Sequence, residues 1–190
     1  MPKLWNETID AHRRGVTDAI LDATAALAFE QGLRGVTMSQ VAERAGIGRA
    51  TLYKYFPDVE TILRTWHTRR IDAHLGELVA VRDGAGTASA RLDAVLTAYA
   101  HIAQQTGGHD RDLVRFLHPD DQIINAHNQL RDLIGQLIEE AAAAGELRTD
   151  TPPEELASYC LHALSAAAEQ KSDAAVARLV AVTAAGLRAR

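Results

Sequence analysis

Residues 37–56 carry the strongest local signal in the chain, and they read TMSQVAERAGIGRATLYKYF. Thr37 is a favoured helix N-cap, because its hydroxyl can accept hydrogen bonds from backbone N–H groups of the first turn. Gly46 permits a sharp turn that a Cβ atom would oppose. A further short helix then runs from Gly48 to about Tyr55. The stretch therefore predicts a helix, a tight glycine turn and a second helix.

The second of these short helices has two chemically different faces. Leu52 and Phe56 point back toward a small core, and Ala42 and Ile47 are small or apolar where the two helices must cross. An α-helix fits the major groove of duplex DNA, where polar side chains read base edges and anchor phosphates. The opposite face of the helix carries Arg49, Ala50, Thr51, Tyr53 and Lys54, most of which are polar.

The charge distribution favours a protein that reads one site over one that coats nucleic acid. The 190 residues carry 20 Lys and Arg against 25 Asp and Glu, a net charge of −5. Bulk nucleic-acid binders are usually basic overall. Residues 34–56, however, carry four basic residues against one acidic residue, a local charge of +3. Such a patch can touch phosphate locally while the rest of the chain repels it.

The composition excludes several other classes of protein. Apolar residues make up 47% of the chain and charged residues 24%, which is neither disordered nor membrane-like. No apolar run approaches the roughly 20 residues of a membrane span, and the amino terminus lacks the apolar segment of a secretion signal. The single cysteine, Cys160, is typical of a reduced compartment. We therefore expect a cytoplasmic protein.

The rest of the chain is punctuated as helices by glycine and proline. No segment alternates apolar and polar residues with the period of a strand, so the sequence predicts an all-α fold. Residues 1–57 form an expected helix-turn-helix DNA-binding domain, and residues 58–190 an expected helical domain for effector binding and dimerisation. The expected helices number about nine and lie near residues 8–31, 37–46, 48–55, 58–81, 87–106, 110–117, 120–144, from 152 onward and 172–188.

Over about residues 14–63 the chain resembles the tetracycline-repressor (TetR) family of transcriptional regulators. The resemblance implies a three-helix DNA-binding head and no enzymatic activity. The chain departs from the family at Val59, because the family usually has a lysine just after the cap of the fourth helix. That lysine contacts a DNA phosphate, and Lys3, Arg13 and Arg14 are candidates to replace it. The matching residues are Ile20, Ala23, Phe29, Gly32, Thr37, Val41, Ala42, Ala45, Gly46, Ile47, Thr51, Leu52, Tyr53, Tyr55, Phe56, Glu60 and Leu63.

The resemblance also implies roles for individual residues in contact with a double-stranded operator. Thr37 and Thr51 are implied backbone-phosphate contacts, while Arg49 and Ala50 face bases. Tyr53 and Lys54 contact base edges or phosphates. The complete set of expected DNA-binding residues is Thr37, Ser39, Gln40, Gly48, Arg49, Ala50, Thr51, Tyr53 and Lys54.

By the same analogy, the second domain binds an effector and forms a homodimer. Alanine fills 16 of the final 50 residues, and small residues let helices approach closely. A symmetric four-helix interface fits this composition better than a monomer core, and it predicts a palindromic operator. The expected interface residues are Leu156, Leu164, Val176, Leu179, Val180, Thr183 and Leu187.

An aromatic lining with a few polar groups indicates a small apolar or aromatic effector. The expected lining residues are Trp66, Arg70, Tyr99, Ile102, Leu113, Phe116, Leu117, Asn128, Tyr159 and His162. The sequence offers no metal-binding motif with the usual histidine spacing, so no metal, cofactor or catalytic residue is assigned. The alternative is an all-helical enzyme or small-molecule binder that uses His118, Asp120 or Asp121.

Overall fold

The computed structural model of the protein describes residues 2–117 and 121–188, with side chains described for residues 10–107 and 124–188. This part of the chain contains eight α-helices, two short 3-10 helices and no strand. The expected all-α fold is therefore confirmed. The α-helices are α1 Pro2–Gln31, α2 Met38–Arg44, α3 Arg49–Tyr55, α4 Val59–Arg82, α5 Ala88–Leu117, α6 Asp121–Ala143, α7 Pro153–Ser165 and α8 Asp173–Ala185, with 3-10 helices at Leu33–Gly35 and Ala166–Glu169.

Helix α5 is interrupted where the sequence predicts an interruption. The sequence predicts that a helix ends at about Thr106 and that a new one starts at about Asp110, and α5 consists of two helical segments that meet at a kink at Gly107. Gly107 lies at the kink with φ 37° and ψ −138°. Glycine adopts this conformation without the steric conflict of a Cβ atom, so the chain bends there and the helix resumes. This accounts for eight described α-helices in place of about nine.

The chain packs as two compact units, residues 1–70 and 71–190. The division lies inside α4, which contributes its first half to the first unit and its second half to the second. The functional boundary expected at Pro57 stays a prediction. Helices α1, α2, α3 and α4 and the segments between them share the core of the first unit. Its buried residues are Ile20, Leu21, Leu27, Val36, Val41, Ala42, Leu52, Phe56 and Ile62.

The core of the second unit is formed by the apolar faces of α5, α6, α7 and α8. Its largest fully buried side chains include Leu96, Ile134 and Leu164. Arg148, in the loop between α6 and α7, holds that loop to the end of α8. Its backbone N–H donates to the carbonyl oxygen of Leu187 at 2.9 Å. Its guanidinium donates to Asp150 at 2.6 and 2.8 Å and lowers the pKa of that carboxyl to about 2.

The start of α2 is stabilised by a reciprocal cap. The backbone N–H of Gln40 donates to Thr37 Oγ1 at 3.4 Å, and the Thr37 backbone N–H donates to Gln40 Oε1 at 2.9 Å. We expect Thr37→Ala to lower the free energy of unfolding of the first unit by about 1 kcal/mol, because α2 loses its N-cap. Urea unfolding measures this. Thr97→Ala is the control, because the Thr97 hydroxyl bonds only the Asp93 carbonyl within α5; an equal loss there would contradict a specific capping role.

Candidate nucleic-acid interface

A four-residue turn joins α2 to α3. Gly46 has φ 68°, a conformation that favours glycine. The turn is held by two backbone hydrogen bonds, from Gly46 N–H to the Glu43 carbonyl at 3.1 Å and from Ile47 N–H to the Ala42 carbonyl at 3.0 Å. Both bonds close onto the last turn of α2. The connection is therefore fixed, and it sets the direction in which α3 leaves the turn.

Helix α3 is seated by its apolar face. The side chain of Leu52 is completely buried and Phe56 is 7% exposed, and both belong to the core of the first unit. The neighbouring Tyr53 is 49% exposed. Such a contrast between adjacent residues fixes the rotation of α3 about its axis. The side of α3 away from the core is thus free to meet another molecule.

The structure brings the expected DNA-binding residues together at the surface of the first unit. They belong to α2, the turn and α3, and only Gln40 is half-buried, because its side chain completes the cap of α2. Arg49 and Lys54 form no ion pair with any described residue, so their charges are available to an external anion. The exposed members of the set are Thr37, Ser39, Gly48, Arg49, Ala50, Thr51, Tyr53 and Lys54.

Helix α2 is held to the end of α1 by polar contacts. The guanidinium of Arg44 donates to both carboxylate oxygens of Glu30, at 2.7 and 2.8 Å, and this holds the pKa of Glu30 below its usual value. Gln40 Nε2 donates to Gln31 Oε1 at 3.2 Å. Bidentate pairs of this kind have a defined geometry. They orient α2, and through the turn they orient α3.

At the start of α4, the residues that stand where the family usually has a lysine have structural contacts of their own. The backbone N–H of Thr61 donates to Asp58 Oδ1 at 2.7 Å, and this hydrogen bond holds the pKa of the Asp58 carboxyl below its usual value. The capping contribution is present above the unfolded-state pKa and is lost as the pH falls through the lower folded-state value. Val59 packs against the first core. The helix therefore begins with a carboxylate and an apolar side chain, with no basic group at these two positions.

The expected effector-binding residues are divided between the two units. Trp66 lies edge-on to Phe29, with ring centroids 6.0 Å apart, and the Arg70 guanidinium carbon is 4.6 Å from the Trp66 ring centroid. All three belong to the first unit. Tyr99 and Ile102 are half-buried against the second core, and burial raises the pKa of Tyr99. Asn128 is half-buried on α6, while the side chains of Leu113, Phe116 and Leu117 lie outside the described residues.

Two effector-binding residues that we expected to point inward lie at the surface of α7. Tyr159 is 44% exposed, and His162 is also exposed. The reason is that Leu156, Cys160 and Leu164 occupy the core-facing side of the same helix. The inward expectation for Tyr159 and His162 is therefore corrected.

The expected dimer-interface residues mostly fill the core of the single chain. A buried side chain offers little surface to a partner, so the buried members of this set do not supply the contact face, while Leu179 keeps accessible surface. Small and apolar residues, together with the exposed Arg178, line the opposite side of α8, where Val182 is 68% exposed. We call this surface the α8 outer face: Ala174, Ala177, Arg178, Ala181, Val182 and Ala185. Of the expected residues, Leu179 is half-buried and Leu156, Leu164, Val176, Val180, Thr183 and Leu187 are buried.

The sequence carried a signal for the α8 outer face that reasoning on large residues missed. Alanines recur at positions 174, 177, 181 and 185, which is the spacing of one helical stripe. The expected interface set consists instead of leucine, valine and threonine side chains. Large apolar side chains belong first to the core of the chain itself.

The enzyme alternative depends on His118, Asp120 and Asp121. His118 and Asp120, and the side chain of Asp121, lie outside the described residues. Among the residues that are described, no three His, Cys, Asp or Glu side chains group as metal ligands.

Within residues 2–117 and 121–188, no helix combines the length and apolar character that a membrane crossing requires.

A fixed glycine turn, an exposed and basic second helix and an all-helical body define a helix-turn-helix DNA-binding protein. Residues 20–64 match the family of bacterial regulatory proteins of the tetR type, and residues 91–189 match the C-terminal domain of SbtR-like transcriptional regulators. The chain belongs to the TetR family of bacterial transcriptional regulators, as its resemblance predicted.

Two curated relatives are similar to part of this chain. The transcriptional regulator BetI of Klebsiella pneumoniae (strain 342) is 37% identical over 100 residues, which cover 50% of this chain and 47% of BetI. The repressor KstR of Rhodococcus jostii (strain RHA1) is 58% identical over 38 residues, 20% of this chain and 18% of KstR. The chain thus matches less than half the length of these relatives.

Solved structures extend the likeness to the whole fold. A TetR/AcrR-family regulator from Thermobifida fusca superposes with a TM-score of 0.76 at 19% identity, over 91% of this chain and 98% of that one. SmeT in complex with triclosan superposes with a TM-score of 0.67 at 19% identity, over 92% of each chain. SmeT is the repressor of a multidrug efflux pump of Stenotrophomonas maltophilia. At these identities the likeness establishes the fold.

Proposed function

We propose that this protein is a sequence-specific DNA-binding repressor that acts in the cytoplasm as a homodimer on a palindromic operator. The observation that carries the proposal is the exposed outer face of α3, held in place by the buried Leu52. The direction of regulation is proposed by analogy with KstR, which is a repressor and is 58% identical over 38 residues.

In this proposal α3 enters the major groove. Arg49, Ala50 and Tyr53 meet base edges, while Thr37, Thr51 and Lys54 contact the phosphate backbone. Ser39, Gln40 and Gly48 lie at the edge of the same surface. The chain as a whole is acidic, with a net charge of −5, so nonspecific attraction is weak. Discrimination between sites therefore depends on the few contacts of α3.

Dimerisation places two copies of α3 on one operator. The proposed contact uses the α8 outer face, whose small side chains permit close approach of a second α8. A twofold dimer presents recognition helices roughly 34 Å apart, one turn of duplex, and so pairs with inverted half-sites. The exposed Tyr159 on α7 lies beside α8, since its hydroxyl is 3.1 Å from the position a Cβ would take at Gly186. It extends the proposed contact face.

Release from DNA is proposed to follow binding of a small apolar or aromatic effector in the second unit. SmeT supports this, since it is a related fold solved with triclosan. The proposed lining comprises the half-buried Tyr99, Ile102 and Asn128 of the second unit. An effector can lower DNA affinity only by binding more tightly to a conformer that fits the operator poorly. Screening compounds for release of captured DNA tests this step.

We expect Arg49→Ala to weaken binding to the operator by about 1–3 kcal/mol per recognition helix, because a base or phosphate contact is lost. Electrophoretic mobility shift with DNA flanking the protein's own gene measures this, and the wild-type affinity should fall steeply with salt. Arg131→Ala on α6 removes the same charge far from α3 in sequence and serves as control. Equal affinity of Arg49→Ala and wild type for every selected DNA fragment would contradict the assignment. Turnover of a substrate by the pure protein would favour the enzyme alternative.

A further inference from the structure

A cavity in the second unit lies apart from the residues assigned to effector binding. It has a volume of about 340 Å³ and opens between the first turns of α5, the loop after α6 and the end of α8. This volume is at the small end of the range for small-molecule sites. No residue of the expected effector set lines it. The cavity therefore has no role in the proposed function.

The floor of the cavity is apolar and fixed. Leu92 and Leu187 are each 1% exposed and Leu147 is 7% exposed, and all three belong to the second core. Leu147 also pairs with Arg188 in an isolated antiparallel bridge. The floor is thus held by both core packing and backbone hydrogen bonds. A ligand would meet only the narrow exposed edges of these leucines, so the apolar contact contributes modestly.

The rim of the cavity carries an excess of negative charge. Asp93 and Glu146 line it from two different segments, and Arg188 is the one cation among the described lining residues. None of the three forms an ion pair with another described residue. The nearby cations are already engaged, since Arg91 donates to Glu140 at 2.6 Å and Arg148 is bound to Asp150. Two carboxylates against one guanidinium leave the rim at −1.

We propose that this cavity binds a small organic cation with an apolar body, such as a protonated primary amine. The apolar body would cover Leu92, Leu147 and Leu187, and the ammonium group would lie between Asp93 and Glu146. An organic anion would meet two carboxylates and is disfavoured. Because the rim is exposed to solvent, each ion pair is screened and contributes modestly. The inference is independent of the DNA-binding proposal.

The probe is 2-phenylethylammonium, titrated into the full ¹⁵N-labelled protein and followed by amide chemical shifts. We expect saturable binding, with shifts concentrated at residues 89–93, 146–148 and 187–188. Two matched compounds carry the same ring without the positive charge: 2-phenylethanol and 3-phenylpropionate. Both should bind at least several-fold more weakly. Added salt should reduce the affinity of the ammonium probe alone.

Near-isosteric variants connect the binding to the rim. Asp93→Asn or Glu146→Gln should each weaken the ammonium probe about two- to fivefold, and the double variant about tenfold. Glu139→Gln, an exposed position on α6 that does not line the cavity, is the control and should leave the affinity unchanged. Equal binding of the three compounds, unchanged affinity in the double variant, or shifts confined to other residues would overturn the proposal. Intact operator binding in the double variant separates this result from a failure of the DNA-binding function.

Discussion

Replacing Ala181 with glutamate is expected to turn the proposed dimer into a monomer and to weaken operator binding by about two orders of magnitude or more. Ala181 is exposed on the α8 outer face, so the substitution does not disturb the core of the single chain. In a twofold dimer it would place two large carboxylates in a contact of small side chains, and burying these charges is costly even with Arg178 on the same face. Loss of the second recognition helix removes the avidity of two linked half-sites, which is commonly worth 10²–10⁴ in affinity.

Sedimentation equilibrium and mobility shift on the same preparation measure both effects of Ala181→Glu. The matched control is Ala143→Glu, which introduces the same side chain at another exposed alanine, the last residue of α6. That variant should remain dimeric and bind DNA normally. A dimer that survives Ala181→Glu with wild-type affinity would exclude the α8 outer face as the contact.

The helix-turn-helix could be predicted closely because its signals are local. Thr37 caps the first turn of α2, and Gly46 adopts the positive φ that the connection between α2 and α3 requires. Each signal depends on a few neighbouring residues and on no distant partner. The spacing of Leu52 and Phe56 then fixes which face of α3 is buried. Both the position of α3 and its exposed residues could therefore be predicted from the sequence alone.

The second unit was harder to predict because its helices are apolar on more than one side. On α8, Val176 and Val180 face the core, while Ala181 and Val182 face outward. Which apolar stripe faces the core depends on distant helices, and their arrangement is not encoded in local spacing. For the same reason, local spacing predicts that Tyr159 points inward, whereas its side chain is 44% exposed. The break at Gly107 could be predicted, in contrast, because it is a local property of a glycine with positive φ.

The adjacent residues Leu52 and Tyr53 should separate stability from DNA recognition. Leu52→Ala is expected to lower the free energy of unfolding of the first unit by about 3–5 kcal/mol, since a fully buried leucine leaves a cavity. This is comparable to the total stability of a small domain. Tyr53→Ala should change stability by less than about 0.5 kcal/mol, because the side chain is 49% exposed. It should nevertheless weaken operator binding about tenfold.

Urea unfolding and mobility shift of the same two variants measure the separation. Hydrogen exchange adds a local reading, because Leu52→Ala should reduce the protection of α2 and α3 while leaving α5–α8 unchanged. Tyr53→Ala should preserve wild-type exchange throughout. If the two substitutions lowered stability equally, α3 would not be seated with Leu52 inward and Tyr53 outward. If Tyr53→Ala bound every operator fragment as tightly as wild type, Tyr53 would make no contact that matters, even with α3 correctly oriented.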